Sequence, residues 1–184
     1  MFVAPNKVVA LSYQLSVSDS NTPTPTFFES APSDQPMAFI YQMQEMLPLF
    51  EEAIANKQKG DTFEVTIPAE NGYGEYSLEN VVGIPKDNFL VDGNFDAENI
   101  KAGEWIPMMN DDEDYLDALV KEVKEDEVIL DFNHVLAGKT LHFSGTIELV
   151  REATEQELEH GHIHGLDGTE MHEEETEDIL LHNN

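Results

Sequence analysis

One alternating run constrains this chain more than any other feature. In TLHFSGTIELV, from Thr140 to Val150, the residues Leu141, Phe143, Ile147 and Leu149 fall on one side. His142, Ser144, Thr146 and Glu148 fall on the other. Successive side chains of a strand point to opposite faces, so the pattern predicts a strand with one face buried. The stretch from Lys7 to Val17 repeats it, with Val9, Leu11, Tyr13, Leu15 and Val17 against Ala10, Ser12, Gln14 and Ser16. Upstream of Thr140 lies a second apolar run, ending at Phe132. The join between the two runs is too long, and too apolar at Val135 and Leu136, for a tight hairpin.

Thr62 to Pro68 reads as a further strand, with Phe63, Val65 and Ile67 on one face. Between the first strand and this one, Met37 to Lys59 is expected to hold a helix. Met46, Leu47, Phe50 and Ile54 form its stripe, Pro48 sits in its first turn and Gly60-Asp61 ends it. Ser18 to Pro36 is rich in Ser, Thr, Pro and Asn and reads as a loop or irregular edge carrying Phe27 and Phe28. Asn71-Gly72-Tyr73-Gly74 is a glycine-rich turn in which the Tyr73 ring meets little backbone crowding. Residues 86–133 read as a separate acidic module. It has a strand around Trp105 and a hairpin from Leu116 to Phe132 that turns at Lys124–Glu127. Asn133 to Lys139 would be its return crossing, with His134 at the joint.

The 184 residues are 40% hydrophobic, enough for a packed core. Acidic residues number 38 against 9 basic ones, for a net charge of −29. Such a surface repels nucleic acid and anionic membranes, so neither is expected as a partner. The absence of cysteine excludes disulfides and thiolate metal sites. The N-terminus alternates like a strand and lacks the basic and apolar regions of a signal peptide. No membrane span is evident, and a cytoplasmic protein is expected. From Glu152 onward there are 11 acidic residues and five of the seven histidines. Thr154 and Glu157 have the spacing of a capping box on a short helix. Beyond Gly161 the composition cannot fill a core, and disorder is expected. His160, His162 and His164 share one side of an extended chain and suit nickel, zinc or copper, with Glu159 and Asp167 as neighbouring oxygen donors. An incidental histidine-rich segment is the competing reading. His172 and His182 are weaker candidates.

Four strings occur in order: NGYGEY, IPKDNF, NHVLAGKTLHF and REATEQELEHGHIHG. Together they resemble the SlyD type of FKBP-like peptidyl-prolyl cis-trans isomerase, and VVALSYQL and EEAIANKQKGD fit the same family. The resemblance covers nearly the whole chain apart from Ser18 to Pro36. It implies a mainly β (α+β) fold, an FKBP-like curved antiparallel sheet around a short helix with a small β-rich domain inserted in the flap. Residues 1–85 plus 134–152 would form the split isomerase domain and 86–133 the inserted chaperone domain. Residues 153–184 would form an acidic, histidine-containing and mostly disordered tail.

The resemblance also implies roles for single residues. Tyr13, Tyr73 and Phe143 would be catalytic, with Tyr73 giving its hydroxyl to the substrate carbonyl. Phe28, Met37, Met46, Leu47, Phe50, Val81 and Ile84 would contact substrate. Phe28 falls where the family carries an Asp that orders and polarises the pocket. Its neighbour Glu29 would point elsewhere if the family's backbone is kept. His160, His162 and His164 would hold nickel or zinc, whereas isomerisation itself needs no cofactor. The implied partners are unfolded or proline-containing polypeptides. Two alternatives stand beside an isomerase with chaperone activity: a catalytically weak peptide-binding chaperone, and a nickel metallochaperone acting through the histidine tail.

Overall fold

A computed structural model describes residues 1–44, 46–109 and 115–167. In chain order the elements are β1 (Lys7–Ser18), β2 (Thr26–Ala31), β3 (Met37–Ile40), α1 (Pro48–Ile54), β4 (Thr62–Ile67), β5 (Val81–Pro85), β6 (Leu90–Val91) and β7 (Asn94–Phe95). They continue with β8 (Trp105–Met109), β9 (Tyr115–Val123), β10 (Glu127–Asp131), β11 (Thr140–Glu152) and α2 (Glu155–His160). The fold is mainly β, with antiparallel sheets and short helices. The chain divides into two compact units, one formed by residues before 72 and after 139, the other by Gly72–Lys139.

In the first unit the sheet order is β2-β1-β11-β4. β3 pairs with Val8–Leu11 of β1, while β2 pairs with Tyr13–Val17 farther along the same strand. The two alternating runs of the sequence are thus neighbours, β1 against β11. Their alternation breaks at one point. Ala10 faces Leu149 and Leu11 faces Ile147, so Glu148 is an extra residue. A bulge of this kind shifts the phase of the strand. Ile147 is buried as expected, but beyond the bulge Val150 is buried and Leu149 only half-buried. Gly145 lies where β11 is most crowded. A Cβ there would stand 2.2 Å from the Ser12 carbonyl oxygen and 2.7 Å from the Phe63 ring.

The helix expected over Met37 to Lys59 is shorter than its pattern. Met37–Ile40 is a strand, and α1 spans only Pro48–Ile54. A short apolar run does not distinguish strand from buried helix by periodicity, and here pairing with β1 decides. Leu47 is the extended N-cap and Pro48 opens the helix, where its missing N–H costs nothing. The helix ends at Ala55, followed by Asn56 at φ +59°, not at Gly60. Gly60, at φ +90°, donates instead to the Ile147 carbonyl at 2.8 Å, beside the bulge. Phe50 and Ile54 are the buried face of the helix.

The second unit has the sheet β5-β10-β9-β8 and a separate β6–β7 hairpin. That hairpin turns at Asp92-Gly93, both at positive φ, the geometry two-residue hairpins prefer. β9 and β10 form the hairpin expected from the sequence, and Lys124 donates from its backbone to the Glu127 carbonyl at 2.9 Å. Val81–Pro85 pairs along its length with Glu127–Asp131. It therefore belongs to this unit's sheet, whereas the sequence reading counts it with residues 1–85. Phe89, Ile106, Ala118, Val120, Val128 and Leu130 form the small core.

Beside this core lies a buried polar lattice around Asp131 and Asn133. Asp131 accepts from the Tyr76 hydroxyl at 2.6 Å, Lys121 at 3.3 Å and Asn133 at 2.7 Å. Asn133 accepts from the Ser77 N–H and the Asn80 side chain, and donates to the Ser77 carbonyl. Burial alone would raise the Asp131 carboxyl, but these donors outweigh it and hold the group below its ordinary range. Among the described residues no helix is long and apolar enough to cross a membrane.

Candidate functional site

Four aromatic rings run in series through the first unit. Phe63 on β4 meets Phe50 on α1 edge-on at 5.5 Å, and Phe50 meets Phe143 on β11 edge-on at 5.0 Å. Phe143 meets Tyr13 on β1 at 5.7 Å. The first two are edge-to-face and the third is tilted at 52°, all at centroid separations aromatic pairs favour. Phe63 and Phe50 are buried, while Phe143 and Tyr13 are half-buried. The series therefore opens towards solvent at Phe143 and Tyr13 as an apolar surface of fixed rings. Met37 on β3, together with Met46 and Leu47 before α1, is half-buried.

The polar group on this surface comes from a residue the sequence reading set aside. The Tyr13 hydroxyl donates to Glu29 Oε1 at 2.7 Å. A bulge in β2 makes this possible, since Leu15 pairs with Glu29 while Ser16 pairs with Phe27. Phe28 is the extra residue. Glu29 then shares the strand face of Leu15 and Tyr13, because the bulge departs from the unbroken backbone on which it would point elsewhere. Phe28 itself is 38% exposed. No sequence signal marks the bulge, but an acid one residue from the expected position was a cue to consider a slipped register.

Tyr73, Val81 and Ile84 belong to the second unit. Val81 and Ile84 are half-buried on β5. Tyr73 is 43% exposed and stacks on His134, with centroids 4.0 Å apart and planes within 3°. The same unit contains a groove of about 510 Å³, lined by Trp105, Tyr115, Leu116, Phe132, His134 and Val135 among others. Trp105, Tyr115, Leu116 and Val135 are all large and exposed. Composition alone cannot separate core residues of this unit from exposed surplus.

The third cluster follows α2. Thr154 and Glu157 form the expected capping box. Glu157 is fully buried and takes both oxygens to Arg151, at 2.6 and 2.7 Å. The Arg151 bonds hold its carboxyl far below the ordinary range. Arg151 also donates to the carbonyls of Gly165 and Leu166, and the His164 N–H donates to Glu157. The stretch just beyond Gly161 is thus hydrogen-bonded to Arg151 and Glu157 as far as Leu166. Within it the ligating nitrogens of His160, His162 and His164 lie within 4.8 Å of one another. His164 Nδ1 is buried without a hydrogen-bond partner, a fit for a metal-binding nitrogen. His172 and His182 lie outside the described residues.

Residues 2–92 match the FKBP-type peptidyl-prolyl cis-trans isomerase family. The chain is also similar to proteins named FKBP-type peptidyl-prolyl cis-trans isomerase SlyD. The Haemophilus influenzae protein is 34% identical over 90% of this chain and 81% of its own length. The Escherichia coli K12 protein is 31% identical over 90% and 79%. That of Vibrio cholerae is 32% identical over 91% and 78%. Shared sequence of this extent, on a mainly β fold of the expected kind, means that the chain belongs to the FKBP-type peptidyl-prolyl cis-trans isomerases of the SlyD type.

Proposed function

We propose that isomerisation runs on the ring surface of Tyr13, Phe50 and Phe143, and that the second unit is an inserted domain that holds unfolded chains. The observation that carries the first part is the ordered ring series, with Glu29 holding the Tyr13 hydroxyl. Rotation about an X-Pro bond breaks amide resonance, against a barrier of roughly 18–20 kcal/mol for a peptide bond. The planar amide is the more dipolar state. An apolar wall disfavours that charge separation and accepts the twisted, less polar transition state. A ten-thousand-fold acceleration asks for only about 5 kcal/mol of selective stabilisation. The step moves no electron or group between molecules, so it requires no nucleophile. In this reading Met37, Met46 and Leu47 widen the apolar wall. Val81, Ile84 and Phe28 contact the chain flanking the proline, and Tyr73 supplies the hydroxyl that holds the substrate carbonyl. Glu29 takes the ordering role that the family gives to an Asp.

The holding function is supported by the groove in the second unit. A soluble domain normally buries residues such as Trp105, Tyr115 and Leu116, and an exposed apolar patch marks a binding surface. The partners are unfolded or proline-containing polypeptides, met in the cytoplasm. The test is refolding of a protein limited by proline isomerisation. Acceleration by the wild type, lost in Tyr73→Ala and Phe143→Ala variants that stay folded, is the expected result. Acceleration that survives both changes sinks the site assignment. Suppressed aggregation without acceleration would mean a binding chaperone.

A second reading is favoured by the orphaned His164 Nδ1. His160, His162 and His164 would bind nickel or zinc, which would cross-link the loop and supply no step of the isomerisation. Calorimetric titration with nickel should give one site, lost when all three are alanine. Equal binding by that variant counts against the reading.

A further inference from the structure

His134 stands at the joint between the two apolar runs, and neither the ring surface nor the metal cluster uses it. Its surroundings give it more to do. The imidazole lies flat against Tyr73, at 4.0 Å and within 3° of parallel. Its edge is fixed separately, because the Leu136 N–H donates to Nδ1 at 3.1 Å. The short turn that carries it is closed by the Ala137 N–H on the His134 carbonyl at 2.9 Å. That turn is laced to the Tyr73 turn by the Gly138 N–H on the Gly74 carbonyl at 2.8 Å. Gly138 is required there, since it sits at φ +72° and a Cβ would come within 2.9 Å of Tyr76 Cβ. His134 is thus held by its own backbone and in turn holds a neighbouring ring.

Tyr73 needs such a support. It is 43% exposed and lies between Gly72 and Gly74, the latter at φ +79°. A tyrosine on a glycine-flanked turn has rotamer and backbone freedom that would spread its hydroxyl over several positions. A flat ring packed on its face removes much of that freedom before substrate arrives. Misplacement by about 1 Å is enough to slow a reaction that depends on orientation.

We propose that His134 is a positioning residue for Tyr73 in prolyl isomerisation, acting through the stacked ring and not through its proton. The proposal rests on the reading that Tyr73 holds the substrate carbonyl. It is tested with a short proline peptide as substrate, using His134→Ala, His134→Phe, Tyr73→Ala and the Tyr73→Ala/His134→Ala double variant. Emission of Trp105, the single tryptophan of the chain, reports that the second unit is intact. The loss of one aromatic stack predicts a fall of about three- to tenfold in kcat/KM for His134→Ala. The fall should lie chiefly in kcat. His134→Phe should restore most of it, because a phenyl ring keeps the stack even though it loses the Leu136 N–H bond. On the Tyr73→Ala background, His134→Ala should add nothing, since the partner it acts through is gone.

Three results would overturn the proposal: full activity of His134→Ala beside a defective Tyr73→Ala, no rescue by phenylalanine, or losses that multiply in the double variant. Full activity of Tyr73→Ala is a different failure. It would remove Tyr73 from the site and His134 with it.

Discussion

The two units place their main aromatic clusters differently. The first draws Phe63, Phe50, Phe143 and Tyr13 into one series, edge-to-face as far as Phe143 and tilted at Tyr13, and exposes only its end. The second leaves Trp105 and Tyr115 at the rim of a groove and builds its core mostly from aliphatic residues such as Ile106, Val120 and Val128, with Phe89 as its one buried ring among the described residues. A fixed surface suits discrimination between two states of one bond. A loose apolar groove suits chains of varied sequence, which share hydrophobicity but no shape. Each unit also buries a carboxylate: Glu157 bound to Arg151 in the first, Asp131 inside its lattice in the second. The difference lies in what each acid secures. Glu157 fastens a histidine loop to the end of β11, whereas Asp131 binds the lattice of Tyr76, Lys121 and Asn133.

The largest effect should come from parting the charged pair. Arg151→Met leaves Glu157 buried without its partner, which typically costs about 3–5 kcal/mol. Urea denaturation should show the loss, and amide exchange at His164 should speed up markedly. The second unit's Trp105 signal should barely change. Crowding the ring series is next. Gly145→Ala puts a methyl against the Ser12 carbonyl and the Phe63 ring, and overpacking of this kind costs about 1–3 kcal/mol. Thermal unfolding should register it in the first unit, and isomerase activity should fall with it.

Acid separates the carboxylates from the rest. Both Glu157 and Asp131 have folded values below their ordinary ones. The unfolded chain therefore takes up protons more readily. The stability they contribute is complete above an unfolded value of about 4 and declines as pH falls from there through the folded values. Circular dichroism should show unfolding below about pH 4. Glu157→Gln should be less stable at neutral pH and less sensitive to acid. The smallest effect on stability belongs to the groove. Leu116→Ser should change urea stability by about 0.5 kcal/mol or less, as exposed sites do. It should nevertheless weaken suppression of aggregation of an unfolded client, and unchanged suppression would move the holding surface elsewhere.

Alternation made β1, β4 and β11 legible, because period two survives any tertiary context that buries one face. Thr154 and Glu157 also announced their capping box, since a cap depends on local spacing alone. Extra residues were not legible. Glu148 and Phe28 each shift a register, and whether a strand bulges is settled by its partner, which lies far away in sequence. For that reason Glu29 was missed and Leu149 was assigned to the wrong face. Met37–Ile40 is too short to declare its own type, so the helix was drawn too long. Asp92-Gly93 was a readable hairpin signal that passed unused. Arg151 could not be foreseen as the anchor of the histidine loop, because a lone arginine at a strand end has many uses.

One surface should turn the proline while another holds the chain. That division is tested most directly by measuring isomerisation of a short proline peptide and of a proline-limited unfolded protein, with Phe143→Ala and Leu116→Ser side by side. Phe143→Ala should lose both activities, and Leu116→Ser only the one on the unfolded protein. If Leu116→Ser slows the short peptide as much as the protein, or if Phe143→Ala keeps both activities, the division of labour is contradicted.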